Sequence, residues 1–324
     1  MCIRDRLNGI KKRLFLWAIS LGEKYEPYKK NGLIYELKLG IARKLIFSKW
    51  KAALGGQLET MVSGSAALNP KLSRIFCASG MMVMEGYGLT ETSPLVSANG
   101  WMGKGMSRLN TVGMAANGVR VEIDKDAWDD PDRPDEGEVI VYGPNVMQGY
   151  WNLPEATAEV MTEDGGFRTG DLGKLVDGYL SITGRVKSQF KLENGKYVSP
   201  APLEENVKLS PLVEQAVLDG KDRKNTFLIV HPAMDALRSA ASAAGVSVPA
   251  DNAAMCADEG VKTWMLSHLK ENNMLAPKWK GYEVARDIIL DPEEWSVDND
   301  MMTPSLKVKL RNLLKHHEEA INAL

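Results

Sequence analysis

Glu85-Gly86-Tyr87-Gly88-Leu89-Thr90-Glu91-Thr92-Ser93-Pro94 follows directly on a short apolar run, Met81 to Met84, that reads as a buried strand. Upstream, Leu58 to Gly64 reads as another strand running into a tight turn. Between them Asn69-Pro70 opens a helix predicted to run through Phe76, with Pro70 at the first helical position, where a missing N–H costs nothing. Strand, helix and strand within about thirty residues predict an α/β unit with parallel strands. In the quoted string, Gly86 and Gly88 flank Tyr87, so backbone can approach a flat ligand closely while the ring packs against it. The Thr90 hydroxyl and Glu91 carboxylate follow at once, able to meet a phosphate and its magnesium. A bare Gly-x-Gly recurs by chance. The ten-residue string is far more specific.

Outward from this string, residues 7–54 read as helical. Leu33, Leu37, Ile41, Leu45 and Ala52 fall near one helical stripe, with lysines and arginines between them. From Thr111 short apolar segments alternate with Gly, Pro and Asp clusters: Val119–Ile123, Glu138–Tyr142, Gly173–Leu175 and Leu180–Thr183. That is the texture of a small β-rich subdomain. Around Gly184–Lys187 the chain passes into another domain. Ser199-Pro200 starts a predicted helix through Leu209, Val213–Leu218 and Thr226–Val230 read as strands, and Ala236–Gly245, Ala257–Asn272 and Leu306–Ala323 as helices. The expected fold class is α/β and α+β multidomain. Residues 1–110 are part of a large α/β domain, 111–184 a β-rich subdomain completing it, and 185–324 a small α+β domain.

The bulk properties exclude several classes. The chain has 324 residues, 44% hydrophobic and 25% charged, which fits a globular protein of about two domains. A formal net charge of -2 leaves no reason to expect nucleic-acid binding, which needs a concentrated basic surface. Cys2, Cys77 and Cys256 are far apart, with neither metal-ligand spacing nor the even count of a disulfide framework, so a reducing cytoplasm is expected. No apolar run approaches the roughly 18 residues of a membrane-spanning helix. The basic and aromatic stretch Lys11-Lys12-Arg13-Leu14-Phe15-Leu16-Trp17 allows peripheral contact with the inner face of a membrane, although a helix of the large domain's core is the simpler reading. Met1 to Arg6 has no apolar core of a signal peptide behind it and reads as foreign to the native coding sequence.

The quoted string resembles the signature of the adenylate-forming superfamily, which includes acyl-CoA synthetases, luciferases and peptide-synthetase adenylation domains. Other segments resemble the family's motifs in order. Ser63-Gly64-Ser65-Ala66-Ala67-Leu68 resembles the small-residue turn beside adenine, and Gly137 to Trp151 the β-subdomain signature, read as mostly structural. Phe167-Arg168-Thr169-Gly170-Asp171-Leu172-Gly173 resembles the segment whose aspartate holds the ribose hydroxyls, a task suited to a carboxylate that accepts two hydrogen bonds from a cis-diol. Gly184-Arg185-Val186-Lys187 resembles the hinge segment, with Gly184 standing where many relatives have aspartate, and Thr303 to Lys309 resembles the loop carrying the adenylation lysine.

The resemblance implies that Gly64, Ser65, Ala66, Gly86, Tyr87, Gly88, Thr90, Asp171 and Arg185 bind ATP and AMP. It implies catalytic roles for Thr90, Glu91 and Lys307, magnesium on Glu91, a hinge at Lys187, and coenzyme A near Lys191, Gly195 and Lys196. Lys307 is preferred to Lys309 because the motif places the lysine before a β-branched residue. Lys24 to Tyr28, Phe47 to Trp50, Phe190 to Pro200 and Asp291 to Trp295 look like fatty acid–CoA ligases, so the implied substrate is a long-chain fatty acid, with no obligate protein partner. Aryl or medium-chain acids, or an inert nucleotide-binding remnant, are the alternatives. The family's Ser/Thr/Gly-rich phosphate loop has no match in this sequence. The expectation is therefore a C-terminal fragment, inactive in isolation.

Overall fold

β1 (Thr60–Ser63), α4 (Pro70–Ala78) and β2 (Met82–Gly88) form the expected unit, and β1 and β2 pair in parallel with Ser63 opposite Glu85. The helix begins where the sequence says it should: Pro70 occupies the first turn and the Asn69 side chain accepts the Lys71 N–H at 2.9 Å. The structure, a computed structural model, describes residues 9–65, 68–100, 107–126, 128, 130–275 and 279–324. The chain divides into two compact units, the first ending at Lys187 and the second spanning Ser188–Leu324.

The first unit opens with helices α1 (Gly9–Gly22) and α2 (Leu33–Ala42), a π-helical turn (Arg43–Phe47) and α3 (Ser48–Ala53). Past β2 come β3 (Leu95–Ala98), β4 (Gly113–Ala115), β5 (Arg120–Asp124), β6 (Gly137–Tyr142), α5 (Pro154–Val160), β7 (Phe167–Val176) and β8 (Tyr179–Arg185). The eight strands make one sheet in the order β1-β2-β3-β4-β8-β7-β6-β5, parallel at the β1–β2 pair and antiparallel elsewhere. The β-rich segment thus continues the sheet of the α/β unit. Val96, Val139, Val141 and Leu180 form its buried core, with Tyr87 and Leu89 packed against them. Each such aliphatic side chain contributes about 1.5–3 kcal/mol on full burial. The helical stripe turns out differently. Leu39, Ala42 and Phe47 are buried, whereas Leu33, Leu37, Ile41 and Leu45 are exposed. α2 carries apolar residues on more than one face, so periodicity alone could not choose which face the described core covers.

The second unit has a hairpin of β9 (Phe190–Lys191) and β10 (Tyr197–Val198), then α6 (Pro200–Val207), β11 (Val213–Asp219), β12 (Phe227–Pro232), α7 (Met234–Ala243), α8 (Asn252–Ala257), α9 (Glu259–Glu271) and β13 (Asp287–Leu290). β12 is central, antiparallel to β11 and parallel to β13, and every one of its residues is buried. One face of this sheet packs on Leu203, Leu237, Val261, Met265 and Leu269, and the other on Trp295 and Leu313. The expected terminal helix from Leu306 is instead a loop followed by two short helices, α10 (Leu310–His316) and α11 (Glu318–Asn322), broken at His317. Among the described residues no helix is long and apolar enough to cross a membrane.

Candidate functional site

The turn after β2 brings the signature string against β7 and β8. Gly88 is required there: a Cβ would lie 1.8 Å from the Pro94 carbonyl oxygen, because Leu89 N–H donates to that same oxygen at 3.0 Å and folds the loop back on the strand. At Gly86 a Cβ would meet only the Ser97 carbonyl at 3.7 Å, ordinary contact, so the internal packing does not demand glycine there. Thr92, fully buried, locks the turn by accepting the Leu89 N–H at 3.0 Å and donating to the Pro94 carbonyl at 2.7 Å. Thr90 is left exposed and Glu91 half-buried on a 3-10 turn. Gly64 leaves β1 beside Gly86, and Ser65 follows in a left-handed conformation (φ 68°). Ala66 lies outside the described residues.

Three of the sequence-picked residues meet in one hydrogen-bonded cluster. Asp171 and Arg185 are directly opposite on β7 and β8, and Arg185 Nε donates to Asp171 Oδ1 at 2.7 Å. The Tyr87 hydroxyl donates to Asp171 Oδ2 at 2.7 Å. Burial, then the adjacent Asp171 charge, pushes the Tyr87 phenol well above its ordinary value, so it serves as a neutral donor. The Asp171 side chain is 7% exposed and that of Arg185 58%. Each carboxylate oxygen keeps a second lone pair, and the terminal Arg185 nitrogens have no partner among the described residues. The cluster can therefore accept hydrogen bonds from a diol while offering a guanidinium edge to an anion. Thr169, which the sequence reading passed over, fixes the β7 backbone by accepting the Asp171 N–H at 3.1 Å and donating to the Val139 carbonyl at 2.8 Å.

Glu91 is held from the segment read as structural. Tyr150 donates its hydroxyl to Glu91 Oε1 at 3.0 Å, and Met147 N–H donates to the Glu91 carbonyl at 2.8 Å. Burial, followed by the bond to Glu91, raises the Tyr150 phenol. Oε2 of Glu91 has no partner among the described residues, so an oxygen ligand of the kind magnesium prefers stands oriented and open. Two residues 59 apart in sequence carry no local signal of this contact. At the start of the string Glu85 is raised from its ordinary value of 4.5 to about 7 by burial, against a weak opposing bond from Ser73 at 3.5 Å.

Lys187 closes the first unit on a 3-10 turn, Val186–Ser188. In the second unit Lys191 and Lys196 flank a hairpin tip whose turn needs Gly195 (φ 82°) and is closed by Gly195 N–H to Leu192 O at 2.9 Å. The Lys191 ammonium lies 5.1 Å from the centre of the Tyr197 ring. Also in the second unit, Lys307 sits on an exposed loop closed by Thr303 N–H to Lys307 O at 2.8 Å and Lys307 N–H to Thr303 Oγ1 at 3.1 Å. Its ammonium has no partner among the described residues, whereas Lys309 is paired with Asp300.

A family model described as "AMP-binding enzyme" matches residues 23–151, and one described as "AMP-binding enzyme C-terminal domain" matches residues 187–281. Long-chain-fatty-acid–CoA ligase 5 of Mus musculus is 32% identical over 320 residues, covering 96% of this chain and 45% of the relative. Long-chain-fatty-acid–CoA ligase FadD15 of Mycobacterium bovis is 32% identical over 298 residues, covering 90% of this chain and 46% of the relative. The chain thus spans less than half the length of these relatives. In structure it resembles the adenylation domain of a carboxylate reductase from Mycobacterium chelonae, with a TM-score of 0.68 at 23% identity over 96% of this chain and 44% of that one. ATP-bound MatB from Rhodopseudomonas palustris gives 0.57 at 24% identity, over 82% of this chain and 46% of that one. At these identities the likeness is one of fold.

Proposed function

We propose that this chain, which belongs to the AMP-binding enzyme family, carries the nucleotide-holding residues of a ligase that joins a long-chain fatty acid to coenzyme A through an acyl-adenylate. The observation that carries the reading is the Tyr87–Asp171–Arg185 cluster, which has the donors and acceptors a ribose and its phosphate need. The names of the long-chain relatives, at 32% identity, support the choice of substrate.

In the first step a fatty-acid carboxylate oxygen attacks the α-phosphorus of ATP, and the bond to pyrophosphate breaks. Gly64, Ser65, Gly86 and Gly88 leave space for adenine beside Tyr87. Asp171 accepts the ribose hydroxyls, and Arg185 offers its free guanidinium edge to the ribose or phosphate. Thr90 donates to phosphate. Glu91, oriented by Tyr150, would hold a magnesium ion, which when bound offsets phosphate charge. Two anions must approach one another, and the unpaired Lys307 ammonium supplies the positive charge that bridges them. In the second step the coenzyme A thiolate attacks the acyl carbonyl carbon, the bond from that carbon to the AMP phosphate oxygen breaks and AMP leaves, and Lys191, Gly195 and Lys196 serve coenzyme A. Lys187 takes up the change of backbone direction between the two steps. Lys307 and the coenzyme A residues then act in different steps, and water is kept from the adenylate.

The free thiols of Cys77 and Cys256 support a reducing cytoplasm. Exposed Lys11, Lys12, Arg13, Leu14 and Leu16 on α1 support peripheral contact with the inner membrane face. The test of the reaction is an assay of the complete reading frame containing this chain with oleate, ATP, magnesium and coenzyme A. Equal yields of oleoyl-CoA, AMP and pyrophosphate are expected. Release of ADP instead, or turnover only with aryl or medium-chain acids, would overturn the assignment.

A further inference from the structure

Asp291 follows β13 directly and is 2% exposed. Its carboxylate is fixed on both oxygens. Oδ1 accepts the Glu293 N–H at 3.0 Å, and Oδ2 accepts the Trp295 indole N–H at 2.7 Å. Trp295 is itself 2% exposed and packs with Val217, Phe227, Ile229 and Leu313, so this orientation is built into the core. His317 Nε2 lies 2.8 Å from the same Oδ2.

The second histidine comes from a break in the helix. Consecutive residues on a continuous α-helix diverge by about 100° and do not face each other. Here His317, at φ -100° and ψ 17°, separates α10 from α11. The His316 and His317 rings therefore meet edge to face with centres 4.8 Å apart. One ligand atom from each of Asp291, His316 and His317 lies within 4.8 Å of the others.

We propose that Asp291, His316 and His317 form a binding site for a divalent transition-metal ion of the zinc class. Two imidazole nitrogens and a carboxylate oxygen are a common zinc donor set, at about 2.0–2.2 Å from the ion. A tetrahedral ion at that distance holds two ligand atoms about 3.4 Å apart, so the His317–Asp291 pair at 2.8 Å opens slightly and the exposed His316 ring, its ligand atom within 4.8 Å of the other two, turns in to meet the ion. The exposed side of His316 leaves the fourth position to water, and a cleft of about 900 Å³ opens beside His317. The Trp295 and Glu293 bonds act as the outer support that orients a ligating carboxylate. Magnesium and calcium, which prefer all-oxygen surroundings, are disfavoured by the two imidazoles. Bound metal ties the helix pair that follows the Lys307 loop to the central sheet. Without it, His317 and Asp291 share a hydrogen bond that does the same task more weakly.

The test uses the tag-free chain, stripped with chelator and titrated with zinc against a chromophoric competitor, with magnesium as control. One zinc per chain is expected, with a raised melting temperature and no displacement of the zinc by magnesium. His316→Ala and His317→Ala should each weaken binding by at least about tenfold, while His268→Ala, on α9, leaves it unchanged. His316 is exposed, so its replacement spares the fold and keeps the result interpretable. Zinc affinity unaltered in His316→Ala, or no zinc-dependent rise in melting temperature, overturns the site and leaves the hydrogen bond alone.

Discussion

The Tyr87–Asp171–Arg185 cluster and the Lys307 loop treat charge in opposite ways. Asp171 is nearly buried, bonded through both oxygens and its own backbone N–H, and held between two strands of an eight-stranded sheet. Lys307 is exposed on a five-residue loop, its ammonium without a partner among the described residues, two positions from a lysine that is paired. A group that holds the nucleotide through every step gains from being fixed in advance, because no ordering is left to do when the ligand arrives. A group that serves one step and then withdraws gains from having no partner to break. Under the proposed reaction the contrast sorts the residues by how long each is needed, and each prediction below strains one side of it.

The largest effect is expected from Lys307→Ala in the complete protein. Adenylation should fall by at least about 100-fold, the scale for removing a donor aimed at developing charge, while thioester formation from supplied acyl-adenylate survives. The melting temperature should not move. Lys309→Ala run alongside should spare adenylation, and equal loss in both half-reactions would mark Lys307 as structural. Lys187→Pro should show the opposite asymmetry. Proline fixes φ near -65°, so a residue that must change its dihedral cannot, and adenylate should accumulate without transfer. Single-turnover measurement of ATP consumption against acyl-CoA appearance decides it, with circular dichroism to exclude misfolding. Survival of both steps would place the hinge elsewhere.

Asp171→Ala acts on the fixed side. It strands the Tyr87 hydroxyl and frees Arg185, so unfolding should cost about 1–3 kcal/mol less than in the parent, read by denaturant titration of this chain. Tyr150→Phe removes the described hydrogen bond that orients Glu91. The magnesium concentration giving half-maximal adenylation should rise about tenfold, with the KM for fatty acid unchanged; a shift in both would make Tyr150 a packing residue only. The smallest effect is Glu85→Gln. The folded state holds the Glu85 proton up to about pH 7, above the ordinary value of 4.5. Across that window the native protein binds more protons than the unfolded chain, so this residue's contribution to stability falls as pH rises. The variant should match the parent near pH 4 and exceed it above pH 7, as followed by melting curves across that range.

Much of the scaffold was legible because it rests on local signals. Asn69-Pro70 marks the start of α4, and the apolar runs either side of it mark β1 and β2. The two-helix end was not legible, since no glycine or proline announces the break at His317. β13, Asp287–Leu290, was missed because no turn signal leads into its short apolar run and its pairing with β12 is not local. In the site, residue types in motif order pointed to Tyr87, Asp171 and Arg185, but their bonding depends on positions up to 84 apart that only the sheet brings together. Tyr150 escaped for the same reason. Its stretch looked structural, and it supports a carboxylate 59 residues away.

The most direct measurement is a calorimetric titration of this chain with AMP and with 2′,3′-dideoxy-AMP. Tyr87, Asp171 and Arg185 all lie in the first unit, so the proposed ribose contacts can be read without the proposed second step. AMP should bind one per chain, and the analogue lacking both hydroxyls should bind at least about tenfold more weakly, since hydrogen bonds to a charged group contribute about 1.5–3 kcal/mol each. Asp171→Ala should abolish that difference. Equal affinities for the two nucleotides in the unaltered chain would contradict the assignment of Asp171 to the ribose, and with it the nucleotide site built around the cluster.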